Sequence, residues 1–332
     1  MLTKLSRDQL RHIEEFEGVW PRYAALSRGR QELAGGMQWK PTVSGEYLTR
    51  YWSDPATGKK VGKSLGRRSP ETEETHREFF ERRRAAEQEA AELEPKTKMA
   101  GSFARALRLT RLPAKHAEGL RNLHESGKFD EGGVLVSGLA AVLLYEAKAR
   151  VLAPFEAIRD DDSVAFLLPT EGRLSWDACM EFAIAFGGRK AYVETLESDD
   201  HWRRMSVDGM KITLFSRAGF ADAAQGFGAT SLIEETLNEA LLAPPVEGFV
   251  FAKDATIAPV RAPDPRAFCL MSPLVAGDDE DRLRAAWRRI EAVEEIVRGH
   301  WRAGKLTQEM EDALEELREL ADPDGDGARL RP

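Results

Sequence analysis

Cysteine is nearly absent: Cys179 and Cys269 are the only two in 332 residues. Neither belongs to a CxxC pair, which excludes the spacing of a structural zinc site and of a disulfide framework, and suits two buried thiols in a reducing cytoplasm. Histidine is also sparse, and the six do not cluster: His116 and His124 are eight positions apart, not the four that would align two metal ligands on a helix. No apolar run approaches the roughly 18 residues of a membrane span, so no membrane partner is expected. The N-terminal stretch MLTKLSRDQLRHIEEFE lacks an apolar core and carries acids, so no secretory signal is expected either, and the cytoplasm is the expected location. No segment of roughly 20–50 residues repeats, which argues against a solenoid.

What is present is a soluble-type composition, 42% hydrophobic and 31% charged, on a chain long enough for one large domain or two ordinary ones. A net charge of −8 argues against nucleic acid coating the whole surface. The charge is uneven, however. Residues 28–68 hold nine Lys/Arg (Arg28, Arg30, Lys40, Arg50, Lys59, Lys60, Lys63, Arg67, Arg68) against three acids (Glu32, Glu46, Asp54). Trp39, Tyr47, Tyr51 and Trp52 interleave with these cations. Aromatic rings for bases and cations for phosphates are what nucleic-acid contact requires, so residues 37–68 are the candidate interface, with Trp39, Lys40, Arg50, Trp52, Lys59, Lys60, Lys63, Arg67 and Arg68 as its residues. The competing reading buries the aromatics of a small hairpin against the following helix and leaves the lysines solvated.

The pattern of the chain predicts helices within 3–34, then a β-hairpin: Tyr47, Thr49 and Tyr51 alternate with Leu48, Arg50 and Trp52, SDPATG supplies the turn, and KKVGKSL returns. Ser69 is placed to cap a helix opening with Pro70, Glu71 and Glu73 and stopping near Pro95. Beyond it, 113–126 reads as a helix, GGVLVSG (132–138) as a strand, LAAVLLYEAKARVL (139–152) as an apolar helix and SVAFLL (163–168) as a strand. SWDACMEFAIAFG (175–187) is a helix capped by Ser175, MKITLF (210–215) a third strand, 230–242 a helix and 246–262 a hairpin, with helices closing the chain. These elements predict a mixed α+β fold. The expected division is an N-terminal helical and β-hairpin module with a charged connector helix (1–98), a mixed domain (99–305), and a polar helix with a tail (306–332).

The most chemically suggestive stretch is AIRDDDSVAF (157–166). In a strand, Asp160 and Asp162 point to one face and Asp161 to the other. Two such carboxylates are the minimal hard-oxygen site for Mg²⁺, which takes one or two carboxylates plus substrate phosphates. The bland alternative is a solvated turn before a strand.

The glycine-bounded strand GVLVSG, the helix ending in YEA and the D-x-D together resemble the DNA polymerase β-type nucleotidyltransferase superfamily. MQWK (37–40), GKSLGRRSPETE (62–73) and APPVEGFVFAKDATIAPVRAPDPRAF (243–268) resemble a bacterial nucleotidyltransferase-like family within it. The resemblance spans about residues 30–300. It implies a polymerase β-type core with a helical C-terminal part, a phosphate turn at Ser137 and Gly138, and Asp160 and Asp162 as catalytic Mg²⁺ ligands. NTP would be the nucleotide substrate, and an unknown acceptor would take the nucleoside monophosphate. The sequence departs from that pattern at Leu139, where the turn expects Ser or Thr; at Thr213, where a third carboxylate is expected; and near Ser272, where a basic residue is expected. Threonine brings no charge to a divalent cation. Two readings therefore stand: a metal-dependent nucleotidyltransferase, or a catalytically inactive homologue that binds nucleic acid or a protein partner.

Overall fold

The computed structural model of the chain describes residues 1–53, 59–129, 133–154, 157, 163–170, 172–188, 191–199, 202–217, 219, 228, 231–277, 279–302 and 304–321, the side chains of 30 and 31 excepted. Their elements run β1 (Thr3–Lys4), α1 (Arg7–Glu17), α2 (Trp20–Glu32), β2 (Gly36–Thr42), β3 (Gly45–Ser53), β4 (Lys60–Arg67), α3 (Pro70–Ala106), α4 (Ala114–Glu125), β5 (Leu135–Ser137), α5 (Leu139–Ala149), β6 (Val151–Leu152), β7 (Ser163–Leu167), α6 (Trp176–Gly187), β8 (Val193–Ser198), β9 (Trp202–Val207), β10 (Met210–Phe215), α7 (Ser231–Ala240), β11 (Val246–Phe251), β12 (Ile257–Ala262), α8 (Pro265–Ala276), α9 (Glu280–Gly299) and α10 (Gln308–Ala321). This is the mixed α+β fold expected from the sequence.

The helix starts follow from local chemistry. Ser6 and Gln9 close a capping box on α1, and Ser69 does the same with Thr72 on α3, which opens with Pro70. Ser175, Asp264 and Asp279 each accept from an amide in the first turn of α6, α8 and α9. These side chains satisfy amides that would otherwise lack partners.

The central sheet has five strands in the order β5-β7-β10-β9-β8, with β7 and β10 parallel and the other neighbours antiparallel. Its buried residues, Val136, Phe166, Met205, Ile212 and Leu214 among them, join helices α4–α10 in one large apolar core. Phe166 stacks edge-on against Phe182 and Phe186 of α6. A smaller cluster of Ile13, Phe16, Ala100, Ala104, Phe249 and Phe251 ties the N-terminal helices and the end of α3 to the β11–β12 hairpin. The separate three-stranded sheet β2-β3-β4 packs Met37 and Leu48 on Phe79 of α3.

Three expectations are corrected. The helix predicted to stop near Pro95 runs through it to Ala106. Pro95 removes one backbone hydrogen bond, but the following turns bury Ala100 and Ala104, and Gly101 lies so close to the Ala255 carbonyl that a Cβ would sit 1.7 Å from it. Tertiary packing outweighs the proline. The predicted hairpin is a three-stranded sheet, because GMQWKPT pairs along its length with β3; Pro41 is tolerated on an edge strand. Residues 193–198 and 202–207, for which the sequence predicts no element, pair as β8 and β9.

Candidate functional site

The register of the central sheet sets one row of side chains across all five strands. Ser137 pairs with Ala165, Ala165 with Thr213, Thr213 with Arg204, and Arg204 with Glu197. Directly paired residues share a face, so this row is continuous. Ser163, two residues before Ala165, lies on the same face. Above the row, α8 and α9 close a cavity of about 50 Å³ lined by Ser137, Gly138, Ser163, Ala165, Thr213, Ser272, Arg282 and Arg289 together with apolar side chains. Gly138 turns the chain from β5 into α5 with φ 84° and ψ −148°, a conformation that a side chain makes costly. No side chain caps α5, whose opening amides lie at this turn.

The chemistry of the lining is cationic and hydroxylic. Arg289 is 6% exposed. Arg282 holds Asp279 at 2.8 Å through Nη2, while its buried Nη1 has no hydrogen-bond partner among the described residues. A buried donor left unmatched costs about 1–3 kcal/mol, more when charged. Ser137 and Thr213 are 3% and 6% exposed, and neither hydroxyl is hydrogen-bonded among the described residues. Ser272 donates to the Phe268 carbonyl at 2.6 Å, which leaves its oxygen free to accept. Next along the row, Arg204 pairs with Glu197 and lies over the Trp202 ring. Burial lowers the Arg204 pKa from its usual value, and the neighbouring Arg282 charge lowers it further.

The expected phosphate-turn residues, Ser137 and Gly138, thus meet Thr213 and Ser272 around one cavity. Leu139 instead points into the apolar core. The expected metal ligands Asp160 and Asp162 lie outside the described residues, as does Glu156. The strand residues that face Thr213 are Ser163 and Ala165. Neither Asp208 nor Glu146 supplies a third carboxylate here. Asp208 forms the β9–β10 turn with Gly209, both at positive φ, and accepts from the Tyr192 amide at 2.8 Å. Glu146 is buried in an ion pair with Arg111 and accepts from the Ala153 amide. Burial pushes its carboxyl up to about 7, although Arg111 and the amide pull the other way. Among the described residues no three His, Cys, Asp or Glu side chains gather as a metal site.

Sequence reasoning missed Ser163, Ala165, Arg204, Arg282 and Arg289. A usable signal existed in DRLRAAWRRIEAV: Arg282, Ala286 and Arg289 recur at i, i+4 and i+7, the spacing of one helix face. A larger cavity of about 240 Å³ lies under α2, between Trp20, His124, Phe129 and Arg261. Of its polar groups, Arg261 forms an ion pair with Glu247 at 3.1 Å and donates to the Phe129 carbonyl, and His124 meets the Ala24 carbonyl at 3.1 Å.

The N-terminal sheet sorts the candidate nucleic-acid residues by face. Toward α3, Trp39 sits between Arg68, 5.1 Å from its ring, and His76. Arg50 lies 5.7 Å over both Trp52 and Phe79 and donates to the Glu32 carbonyl. Arg68 bridges Glu46 and Glu73, and these bonds raise its pKa. Lys63 shares the row of Met37 and Arg50 but is exposed. The opposite face carries the row Lys40–Tyr47–Arg67, the row Gln38–Thr49–Ser64, then Tyr51 and the pair Ser53–Lys60. Lys59 directly precedes β4. Lys40, Lys60 and Arg67 are exposed and form no ion pair among the described residues. Of the residues proposed from sequence, Trp39, Arg50, Trp52 and Arg68 therefore hold the sheet to its helix, and Lys40, Lys60 and Arg67 face outward.

No family model matches this chain, and no curated protein matches it either. Among the described residues no helix is long and apolar enough to cross a membrane.

Proposed function

We propose that this chain is a catalytically silent nucleotidyltransferase-like protein that works as a nucleic-acid-binding module. The observation that carries the binding role is the outward face of the N-terminal sheet. Lys40, Arg67 and Lys60 are spaced along it with Tyr47 and Tyr51 between them, while the aromatics and arginines of the other face are spent on packing. Cations on phosphates and rings on bases give a sequence-tolerant interface with strong salt dependence. The silence of the transferase site is supported by its chemistry. Thr213, which faces the cavity where the resemblance expects a third carboxylate, brings no charge to a divalent cation.

Fluorescence anisotropy with a labelled single-stranded and a duplex oligonucleotide tests the reading. Binding should weaken steeply with salt. The Lys40→Glu/Arg67→Glu variant should lower the slope of log affinity against log salt by roughly 0.7–0.9 for each phosphate no longer neutralised. Tyr47→Ala should weaken the single strand more than the duplex. Binding indifferent to these changes sinks the assignment. The active-enzyme reading, with Asp160 and Asp162 as Mg²⁺ ligands and NTP as substrate, is restored by Mg²⁺-dependent nucleotide transfer that Asp160→Ala/Asp162→Ala abolishes.

A further inference from the structure

We infer that the outward face of the N-terminal sheet binds single-stranded nucleic acid, with an unpaired base stacked on Tyr51 and the phosphates of the same strand held at the row Lys40–Tyr47–Arg67. This role rests on the nucleic-acid reading and deepens it, naming the form of nucleic acid and giving each end of the face its own task. The two tyrosines differ in their neighbours. Tyr47 stands between Lys40 of β2 and Arg67 of β4, both exposed. Tyr51 stands between Gly36 of β2 and Gly62 of β4. Four positions along β3 separate them, roughly 13 Å at about 3.3 Å per residue.

The glycines set the pose of the Tyr51 ring. A Cβ on Gly36 would lie 2.5 Å from the Tyr51 hydroxyl oxygen and 2.7 Å from its Cζ, so the end of the ring occupies the space that any other residue's side chain would take. Gly36 is buried beneath it, whereas Gly62 on the other side is exposed and Tyr51 itself keeps 40% of its surface in water. The paired position on each neighbouring strand thus carries no side chain to stand beside the ring. An aromatic ring laid across a sheet with its outer face open is a surface for stacking, which every base can use. The form of nucleic acid follows from the same pose. Inside a duplex both faces of each base pair are already stacked on their neighbours, and the grooves offer only base edges. A ring lying on a sheet reaches no edge in a groove; it needs a base free of its stack, as a single strand supplies. The Tyr47 row, cation–ring–cation across about 10 Å, meets the charge of the backbone.

The test compares labelled oligothymidylate with an abasic backbone of equal length and charge, by fluorescence anisotropy on the full chain. Oligothymidylate should bind roughly five- to a hundredfold tighter, the value of one stacked base. Tyr51→Leu should bring the two to the same affinity, and Tyr51→Phe should keep them apart. Gly36→Ala retains the ring but displaces it, at no cost to a backbone that is not at positive φ, and should shrink the difference as well. None of these variants should change the slope of log affinity against log salt, which belongs to Lys40 and Arg67. The same comparison with oligouridylate tells ribose from deoxyribose, and base dependence with either sugar supports the inference. Base dependence with neither, base dependence that survives Tyr51→Leu, or a duplex that binds as tightly as the single strand overturns it. Salt-dependent binding without base dependence sinks the stacking role alone and leaves the nucleic-acid reading standing; no binding to any of these strands sinks both.

Discussion

The N-terminal sheet and the central sheet use the same residue types to opposite ends. On β2–β4 the cations of the outer face stand in water, where each is cheap to keep and strongly screened by salt. At the central cavity Arg289 is 6% exposed among Ala165, Ala276, Ala286, Phe268 and small hydroxyls, and Arg204 on the neighbouring strand is 8% exposed. The small sheet rests on a cluster of three buried residues, Met37, Leu48 and Phe79, whereas the central sheet belongs to a core that runs through seven helices. Local charge excess thus finds solvated cations and hides buried ones. Nine basic residues within 28–68 stand out in the sequence; two arginines in an amphipathic helix do not.

The largest expected contrast is in stability. Phe166→Ala, in the central core against Phe182 and Phe186, should cost about 3–5 kcal/mol in denaturant unfolding. Leu48→Ala should cost nearer to about 2 kcal/mol, because a small cluster where sheet meets helix relaxes more easily. Equal costs would break the distinction between the two regions. Next comes pH. The folded-state pKa of Glu146, about 7, lies above its ordinary 4.5, so its contribution to stability is fully present below about pH 4.5 and is lost as pH rises through 7. Stability should therefore fall between about pH 5 and 8 by up to about 3 kcal/mol from this group. Glu146→Gln should flatten that part of the profile, and an unchanged slope would show that the Arg111 pair keeps the carboxylate ionised throughout.

Smaller still, Ser69→Ala removes the cap of α3 and should lower stability by about 1 kcal/mol. Hydrogen exchange should then rise at the amide of Thr72, which the Ser69 hydroxyl accepts from at 3.4 Å. Because the small sheet packs on this end of α3, the same change should loosen the sheet before it touches the central core.

Much of the fold is legible in the chain. Caps at Ser69 and Ser175, the apolar run of α5 and the alternation of β10 each place an element where it lies. β2 is less so: MQWKPT alternates apolar and polar residues, but Pro41 argues against a strand, and the segment takes its place as an edge by pairing with β3. The length of α3 is hidden by Pro95, a local signal overruled by burial far along the chain. At the site, Ser137, Gly138 and Thr213 can be named only through the resemblance, which implies a phosphate turn at the first two and expects a third carboxylate at the last. Ser163 and Ala165 cannot, since neither carries a charge or a motif that marks it, and Arg282 and Arg289 carry meaning only once α9 is folded over the sheet.

The uninterrupted run of α3 carries a mechanical consequence. Phe79, under the small sheet, and Ala104, in the cluster with Phe16, are 25 positions apart on one helix, roughly 37 Å along its axis. That is several Debye lengths at physiological salt, so charge placed on the sheet is electrically invisible at the far end. Any message between the two ends must pass as bending or twisting of a single rod. The rung most ready to yield is the one at Pro95, where the backbone lacks a donor. Arg22 of α2 clasps Glu89 and Glu92 just before that rung, like a bracket fixed beside a joint.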